Sequence, residues 1–417
     1  MDLKRPPLRH VTLDALRGIA VMGILLMNIA AFAMPEAGYF NPLAWGGSDQ
    51  ANLWVWTANF ILIDGKMRCL FSMLFGASMV LVMGRADKAG SNGLSVHLRR
   101  MVTLLMFGLA HYYFVWNGDI LTLYAACGIM VGLAFHASNR HVIRRWMFIL
   151  FGLSFLLWGL MGASLVFVGA HGSGPSASQS ARVSAAGLRE TLGQPGSARI
   201  TAEIERYRGS YEQIALHRVT VDGFDPVVSV LSFGCETAAL MLLGILLFRT
   251  GALTGKWPQR LYLRAGLICY AIGLPGGALL AWLVWQSGFD PIMAMATSVS
   301  FSLPFHVLTM LGHAAFAIIA IKRFAATPAV ARIAAAGRAA FSNYLATSLI
   351  MTSLFYGYGL GWYGWVERWQ AMVIAVLAWG LMLLWSKPWL DRFHYGPLEW
   401  LWRSAARGQW QKLRRTN

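Results

Sequence analysis

Charge is scarce in this sequence: Asp, Glu, Lys and Arg together make up only 13% of its 417 residues, against 57% hydrophobic. With a mean hydropathy of +0.52, a soluble domain of this size is excluded, and lipid is the solvent of much of the chain. Acidic residues are scarcer than basic ones, 18 against 35, which leaves a net charge of +17. The basic residues do not form a single stripe of the kind that tracks a nucleic-acid backbone. They fall in short clusters between apolar runs, the pattern that sets membrane topology, so membrane lipid is an expected partner and nucleic acid is not. Cysteines are few, and Cys69, Cys127, Cys235 and Cys269 all lie in apolar stretches without ligand spacing. They read as small buried side chains, with neither a disulfide nor a metal centre expected. An internal repeat is also lacking, which removes the sequence support for an inverted-repeat transporter.

What is present is a series of apolar runs. Ten are long enough to span: 13–34, 67–84, 101–116, 120–137, 146–169, 226–248, 265–285, 296–321, 339–358 and 369–385. The first follows Lys4, Arg5 and Arg9, and Ala31-Phe32-Ala33 resembles a signal-peptidase site, but the run is long enough to cross and reads as a retained helix. The stretch 51–63 is too short to cross easily and reads as a re-entrant or interfacial helix. Sidedness follows from Lys and Arg. The short connections 35–50, 117–119, 287–295 and 359–367 contain neither, whereas the alternate connections carry Arg85, Lys88, Arg99, Arg100, Arg140, Arg144, Arg145, Arg249, Lys256, Arg260, Arg264, Lys322, Arg323, Arg332 and Arg338. This split predicts an all-α polytopic bundle of about ten spans with both termini in the cytosol, in the cytoplasmic (inner) membrane of a bacterium.

The chain divides into an N-terminal membrane half, 1–169, an external loop, 170–225, and a C-terminal membrane half with a basic tail, 226–417. The loop is rich in Gly, Ser and Ala and then acquires charged residues at helical spacing over 200–221. It predicts a flexible linker followed by an amphipathic external helix, the alternative being a disordered spacer. Its six arginines do not contradict the sidedness, because long loops translocate largely regardless of charge.

Ionisable groups at membrane depth need either a partner or a role. Asp14 and Arg17, three apart, share a helix face with Asn28 farther along the same run, and can pair at the cytosolic boundary. Asp64, Lys66 and Arg68 open the second span; two cations beside a carboxylate suit a substrate phosphate or carboxylate, or else form a snorkelling cap. His111 and Tyr124 face each other across the three-residue connection Asn117-Gly118-Asp119. A histidine that reaches Asp119 or Asp64 has its tautomer fixed and its basicity raised, as a general base requires; otherwise it is a packed, hydrogen-bonded residue. Arg338 with Ser342-Asn343-Tyr344 forms a fourth group, and 395–403 reads as an interfacial aromatic-basic segment. His306 and His313, seven apart, share a helix face and are candidates to line a cavity, without a third ligand for a metal.

At these same residues the chain resembles the YeiB-like family of bacterial membrane proteins, which carry a C-terminal domain of unknown function. The resemblance runs through 13–28, 66–76, the 111–124 hairpin, 337–344 and 396–403. The opening Leu13-Asp14-x-x-Arg17-Gly18 and its long apolar run are also, more distantly, similar to two membrane acyltransferase families, the acyltransferase-three type and the heparan glucosaminide N-acetyltransferases. That similarity implies transfer of an acyl group from a cytosolic donor to an acceptor across the membrane, with a histidine at the centre. In the first of those families the opening helix ends in a histidine, and Asn28 stands at that place here. Asn cannot act as a base, so the role passes to His111.

The sequence therefore predicts a membrane acyltransferase with His111 as base, Asp119 or Asp64 orienting it, and Lys66 and Arg68 holding an anion. Asn28, Asn117 and Tyr124 are the oxyanion donors, with Asp14, Arg17 and Asn343 also in the substrate site. Acyl-CoA is the candidate donor substrate, with no bound cofactor and no metal. The acceptor is a small molecule or a glycan of the envelope, and oligomeric state stays open. The competing expectation is a transporter or exporter of a small polar or anionic solute that uses the same charges.

Overall fold

The computed structural model describes residues 8–415, so Lys4 and Arg5 lie outside it. Regular structure in this part is helical apart from one isolated bridge between Phe393 and Arg414. The N-terminal half comprises α1 (Leu8–Ala33), α2 (Glu36–Phe40), α3 (Gln50–Leu62), α4 (Lys66–Lys88), α5 (Gly93–Phe114), α6 (Leu121–Phe135) and α7 (Arg140–Ser173). Three short helices follow, α8 (Gln179–Thr191), α9 (Ala198–Tyr207) and α10 (Tyr211–Thr220). The C-terminal half comprises α11 (Asp225–Arg249), α12 (Gln259–Gln286), α13 (Pro291–Met295), α14 (Leu303–Arg323), α15 (Pro328–Arg338), α16 (Ala340–Phe355), α17 (Arg368–Arg392) and α18 (Pro397–Arg407).

Seven segments among the described residues are long and apolar enough to cross a membrane: Val11–Ala33, Gln50–Lys88, Arg140–Ser173, Asp225–Arg249, Gln259–Gln286, Leu303–Arg323 and Arg368–Arg392. The runs at 120–137 and 339–358 form helices of 15 and 16 residues, α6 and α16, shorter than a full hydrocarbon crossing needs. α1 is the centre of the bundle, packed on α4, α14, α15, α16 and α17. α7 is its opposite: Phe148, Phe155, Leu156, Leu160 and Phe167 all point outward, the surface expected of a helix dissolved in lipid.

Close helix approach depends on missing side chains. A Cβ at Gly337 would sit 1.8 Å from the Asp14 carbonyl oxygen, and one at Gly18 would sit 2.1 Å from that of Ile333, so α1 and α15 meet backbone to backbone. The α4–α11 contact has the same construction at Gly76 and Gly244.

The basic connections meet one another at one end. Arg249 donates to the Ser138 carbonyl (3.0 Å), Lys322 to that of Gly255 (2.9 Å) and Arg338 to that of His394 (3.4 Å), and the Trp402 indole donates to the Arg100 carbonyl (2.9 Å). At the other end α8 and α9 pack on the acidic and aromatic connections, through Arg189 to Asp290 (2.6 Å) and Tyr363 to Glu203 (3.0 Å).

Two expectations are corrected, and the short 51–63 helix is found as a helix. The 296–321 run is not one helix: Ala296–Phe301 forms a π-helical stretch, and the α-helix restarts at Leu303. Ser298, Ser300 and Ser302 followed by Pro304 weaken the ladder there. The 170–225 loop is not a flexible linker before one helix but three helices; the Ser178 and Ser210 side chains cap α8 and α10, and Ser197 occupies the N-cap position of α9 without a side-chain cap bond. Ser210 with Gln213 forms a full capping box, which splits the expected 200–221 helix in two. The 51–63 stretch becomes α3, joined to α4 through Ile63-Asp64-Gly65, where Gly65 adopts φ +70; a Cβ there would strike the His306 ring, so only glycine fits the turn.

Candidate functional site

α5 and α6 form a hairpin whose connection folds back on the helix ends. Asp119 caps α6, with Oδ2 accepting from the Thr122 backbone N–H at 2.8 Å. Its other oxygen accepts from Nδ1–H of His111 at 2.8 Å, and both side chains are almost wholly buried. The carboxylate thereby selects the tautomer with the proton on Nδ1, leaving the lone pair on Nε2. That nitrogen has no hydrogen-bond partner among the described residues. Of the two carboxylates expected for His111, the structure brings Asp119; Asp64 is instead taken by the Tyr39 hydroxyl.

Around this pair stand Tyr344 of α16, with ring centroids 5.3 Å apart, and Trp116, edge-on at 6.4 Å. Trp116 stacks in turn on Phe32 of α1 at 3.9 Å. The Tyr344 hydroxyl accepts from the Ile120 N–H (3.3 Å) and donates to the Gly118 carbonyl (3.4 Å), holding the segment that carries Asp119.

Tyr344 also lines a cavity of about 460 Å³ bounded by α1, α4, α5, α6, α15, α16 and α18. One end is walled by Ile120, Leu121, Tyr124 and Tyr344; the other carries Arg85, Arg100, Arg338 and Arg403, with Asp14 and Arg17 on the α1 wall. Arg17 bonds Asp14 and Ser78 at 2.8 and 2.7 Å. Glu399 is also in the lining, but its carboxylate is engaged by the backbone N–H groups of Phe341 and Ser342 at the start of α16 (2.7 and 3.1 Å) and by the Ser342 hydroxyl. Burial raises the Glu399 carboxyl above its ordinary range, against the hydrogen bonds from Ser342 and Phe341 that pull it down. Burial likewise lowers Arg338.

The remaining expected residues are distributed as follows. Lys66 is buried with its ammonium on the Phe60 carbonyl at the α3–α4 break. Arg68 pairs with Glu236 of α11 at 2.9 Å. Neither cation lines the cavity, whose basic lining residues are Arg17, Arg85, Arg100, Arg338 and Arg403. Tyr124 does line it, but its hydroxyl donates to the Arg68 carbonyl at 3.3 Å and accepts from Ser72 at 3.2 Å, not toward His111. Asn117 is exposed. Asn343 is engaged by the Ala336 carbonyl, Ser386 and the Trp385 indole, at 3.0, 3.2 and 2.8 Å, and serves packing; its neighbour Tyr344 is the residue that meets His111. Asn28 is buried and makes no hydrogen bond among the described residues; it lies one turn before Phe32. His313 is held between Tyr270 (2.6 Å) and the Leu62 carbonyl (2.7 Å), so both its ring nitrogens are engaged, and His306 is buried against Gly65.

Sequence reasoning missed Glu236, and it gives Arg100 and Arg403 only as sidedness and interface signals, not as lining of a cavity. Glu236 was legible as a lone carboxylate inside an apolar run, which requires a partner; the partner, 168 positions away, was not.

A helical bundle with an apolar outer surface, a buried histidine–carboxylate pair and a cavity that carries several arginines defines the class: a polytopic α-helical membrane protein with an internal site. Residues 247–409 match the family described as Protein of unknown function (DUF418). The chain is 31% identical over 402 residues to Uncharacterized protein YeiB of Escherichia coli (strain K12), covering 95% of this chain and 96% of that one. It is 29% identical over 437 residues to Uncharacterized protein YxaH of Bacillus subtilis (strain 168), covering 96% and 95%. The chain belongs to the YeiB-like family. No solved structure matches it.

Proposed function

We propose that this protein is an acyltransferase of the bacterial inner membrane, with ten crossings and both termini in the cytosol, which transfers an acyl group from a cytosolic thioester to a hydroxyl or amine acceptor. The observation that carries this reading is the unpartnered Nε2 of His111, oriented by Asp119 and separated from the arginine-mouthed cavity by the Tyr344 ring. The basic end of the bundle faces the cytosol by the positive-inside rule, so the cavity opens toward a cytosolic donor.

In the proposed step His111 Nε2 takes the acceptor proton as the acceptor oxygen or nitrogen attacks the thioester carbonyl. The carbon–sulfur bond then breaks, and the thiolate leaves with the proton returned from the imidazolium. Asp119 stabilises that imidazolium and keeps the ring from turning. The free amide of Asn28 is the remaining candidate oxyanion donor. Acyl-CoA is the proposed donor substrate, and a small molecule or envelope glycan the acceptor.

The transport reading has its own support in the α3–α4 break, where Asp64 and Lys66 sit between two half-helices as in many solute carriers. Vesicles of defined sidedness separate the two. With radiolabelled acetyl-CoA supplied only to the cytosolic face, acyl transfer leaves label in an acceptor product and releases free thiol. Uptake of intact solute without thiol release contradicts acyl transfer and supports transport.

A further inference from the structure

A second chamber of about 420 Å³ abuts the first. The two share Arg85, Arg100 and Arg403, and the second adds Arg99 and Arg407. Arg100 on α5 and Arg403 on α18 are therefore lining residues of both.

Among the described residues neither of these two guanidiniums has a carboxylate partner. Arg100 lies over the Trp402 ring at 4.1 Å, and its side chain makes no hydrogen bond among the described residues. Arg403 lies over the Tyr395 ring at 4.6 Å, and its buried Nε has no partner. The nearby Glu399 is turned away into the backbone of α16. Burial, and then the like charges of Arg407 and Arg17, hold the Arg403 guanidinium below its ordinary range against the pull of Tyr395 and Glu399. Clustered cations without anions are unfavourable in the empty site and become favourable once an anion neutralises them. A guanidinium stacked on an aromatic ring keeps its fork fixed in one plane, which suits bidentate capture of a phosphate.

We propose that Arg100 and Arg403 form a phosphate-binding collar between the two chambers, which seats the phosphate groups of an elongated ligand while its slender arm extends through the inner chamber toward Tyr344. The inference rests on the acyl-transfer reading for the arm alone, and assigns the donor's class: a thioester carried on a phosphorylated group. A membrane phospholipid offers the same phosphate chemistry from the inner leaflet.

The test is calorimetric binding of free coenzyme A and of inorganic pyrophosphate to the full-length protein in phosphatidylcholine nanodiscs, with and without phosphatidylglycerol. The collar predicts that coenzyme A binds, that pyrophosphate competes, and that Arg100→Gln and Arg403→Gln each weaken binding about tenfold or more while Arg→Lys at either position restores part of it. In the wild-type protein, pyrophosphate should slow phenylglyoxal labelling of both arginines, a readout that needs no variant to fold. Unchanged affinity in both variants, or labelling indifferent to pyrophosphate, overturns the collar. Protection by phosphatidylglycerol with no response to soluble phosphates assigns the arginines to lipid and overturns it also. Coenzyme A carries no acyl group, so arginine-dependent binding of it, together with no thiol release from acetyl-CoA in the presence of the acceptor panel, supports the collar and sinks acyl transfer. Turnover with an unchanged KM in both variants does the reverse.

Discussion

Removing the Glu236 carboxylate should destabilise the bundle more than removing both members of its ion pair. Arg68 and Glu236 lie 2.9 Å apart, with side chains only 17% and 3% exposed, and Cys69 and the Phe233 ring complete the contact. At an effective dielectric constant of about 20, two charges at this distance attract by about 6 kcal/mol. Desolvation costs several kcal/mol for each ion, so the pair as a whole is close to neutral for stability. Glu236→Ala leaves the guanidinium buried and uncompensated, at a cost of about 3–5 kcal/mol. The double change Arg68→Met with Glu236→Leu removes both charges and keeps volume; it should fall within about 2 kcal/mol of the wild type, since well-packed apolar replacements of buried pairs are often neutral. The assay is unfolding of the purified protein in mixed micelles titrated with dodecyl sulfate, read by far-ultraviolet circular dichroism for the wild type, both single variants and the double. If the double variant loses as much as the two singles summed, or Glu236→Ala costs under about 1 kcal/mol, the pair is not coupled as described.

Three further outcomes follow from other contacts. Asp119→Asn keeps the cap on α6 but presents a donor to His111 Nδ1 and so favours the wrong tautomer; thiol release should fall by about 10³–10⁴-fold, with stability changed by less than about 1 kcal/mol in the same micelle titration. Gly337→Val places side-chain atoms in the Asp14 carbonyl, where even a Cβ would lie at 1.8 Å, and should separate α1 from α15; loss of the monodisperse peak on size exclusion checks it. Ser210→Ala removes half of the capping box of α10, at a cost of about 1 kcal/mol, and should speed protease cleavage near 208–215 in sealed vesicles whose outer face is exposed.

The sequence exposed what lipid enforces and little of what packing decides. Apolar runs and the absence of Lys and Arg from alternate short connections identify a polytopic helical protein, because an unsatisfied backbone or a charge in hydrocarbon is costly. Periodicity and hydropathy did not reveal where ladders break inside apolar segments. At 296–301 the cue was three serines before Pro304, and at 63–65 a glycine whose φ is set by His306. The three helices of the 170–225 loop each begin after a serine, Ser178, Ser197 and Ser210, a start signal that the surrounding Gly, Ser and Ala obscure because the same residues suit a linker.

In the candidate site, local pairs were readable and distant ones were not. His111 and Asp119 are eight apart in one hairpin, and Asp14 and Arg17 share a helix turn, so spacing alone suggested both contacts. Lys66 and Arg68 looked free because the Phe60 carbonyl is released only by the break in the helix, and Glu236 arrives from α11. Tyr344 and Asn343 were adjacent candidates, and only helix rotation decides that Tyr344 meets His111 while Asn343 turns to Trp385.

The most direct measurement is release of free thiol from acetyl-CoA by the purified protein in nanodiscs, with a panel of lipid and sugar acceptors, compared with His111→Ala of equal thermal stability. The account predicts acceptor-dependent release by the wild type that falls by about 10³-fold or more in the variant. Equal release by both proteins would contradict the role given to His111, and no release from any donor by a folded wild-type protein would contradict the acyltransferase reading itself.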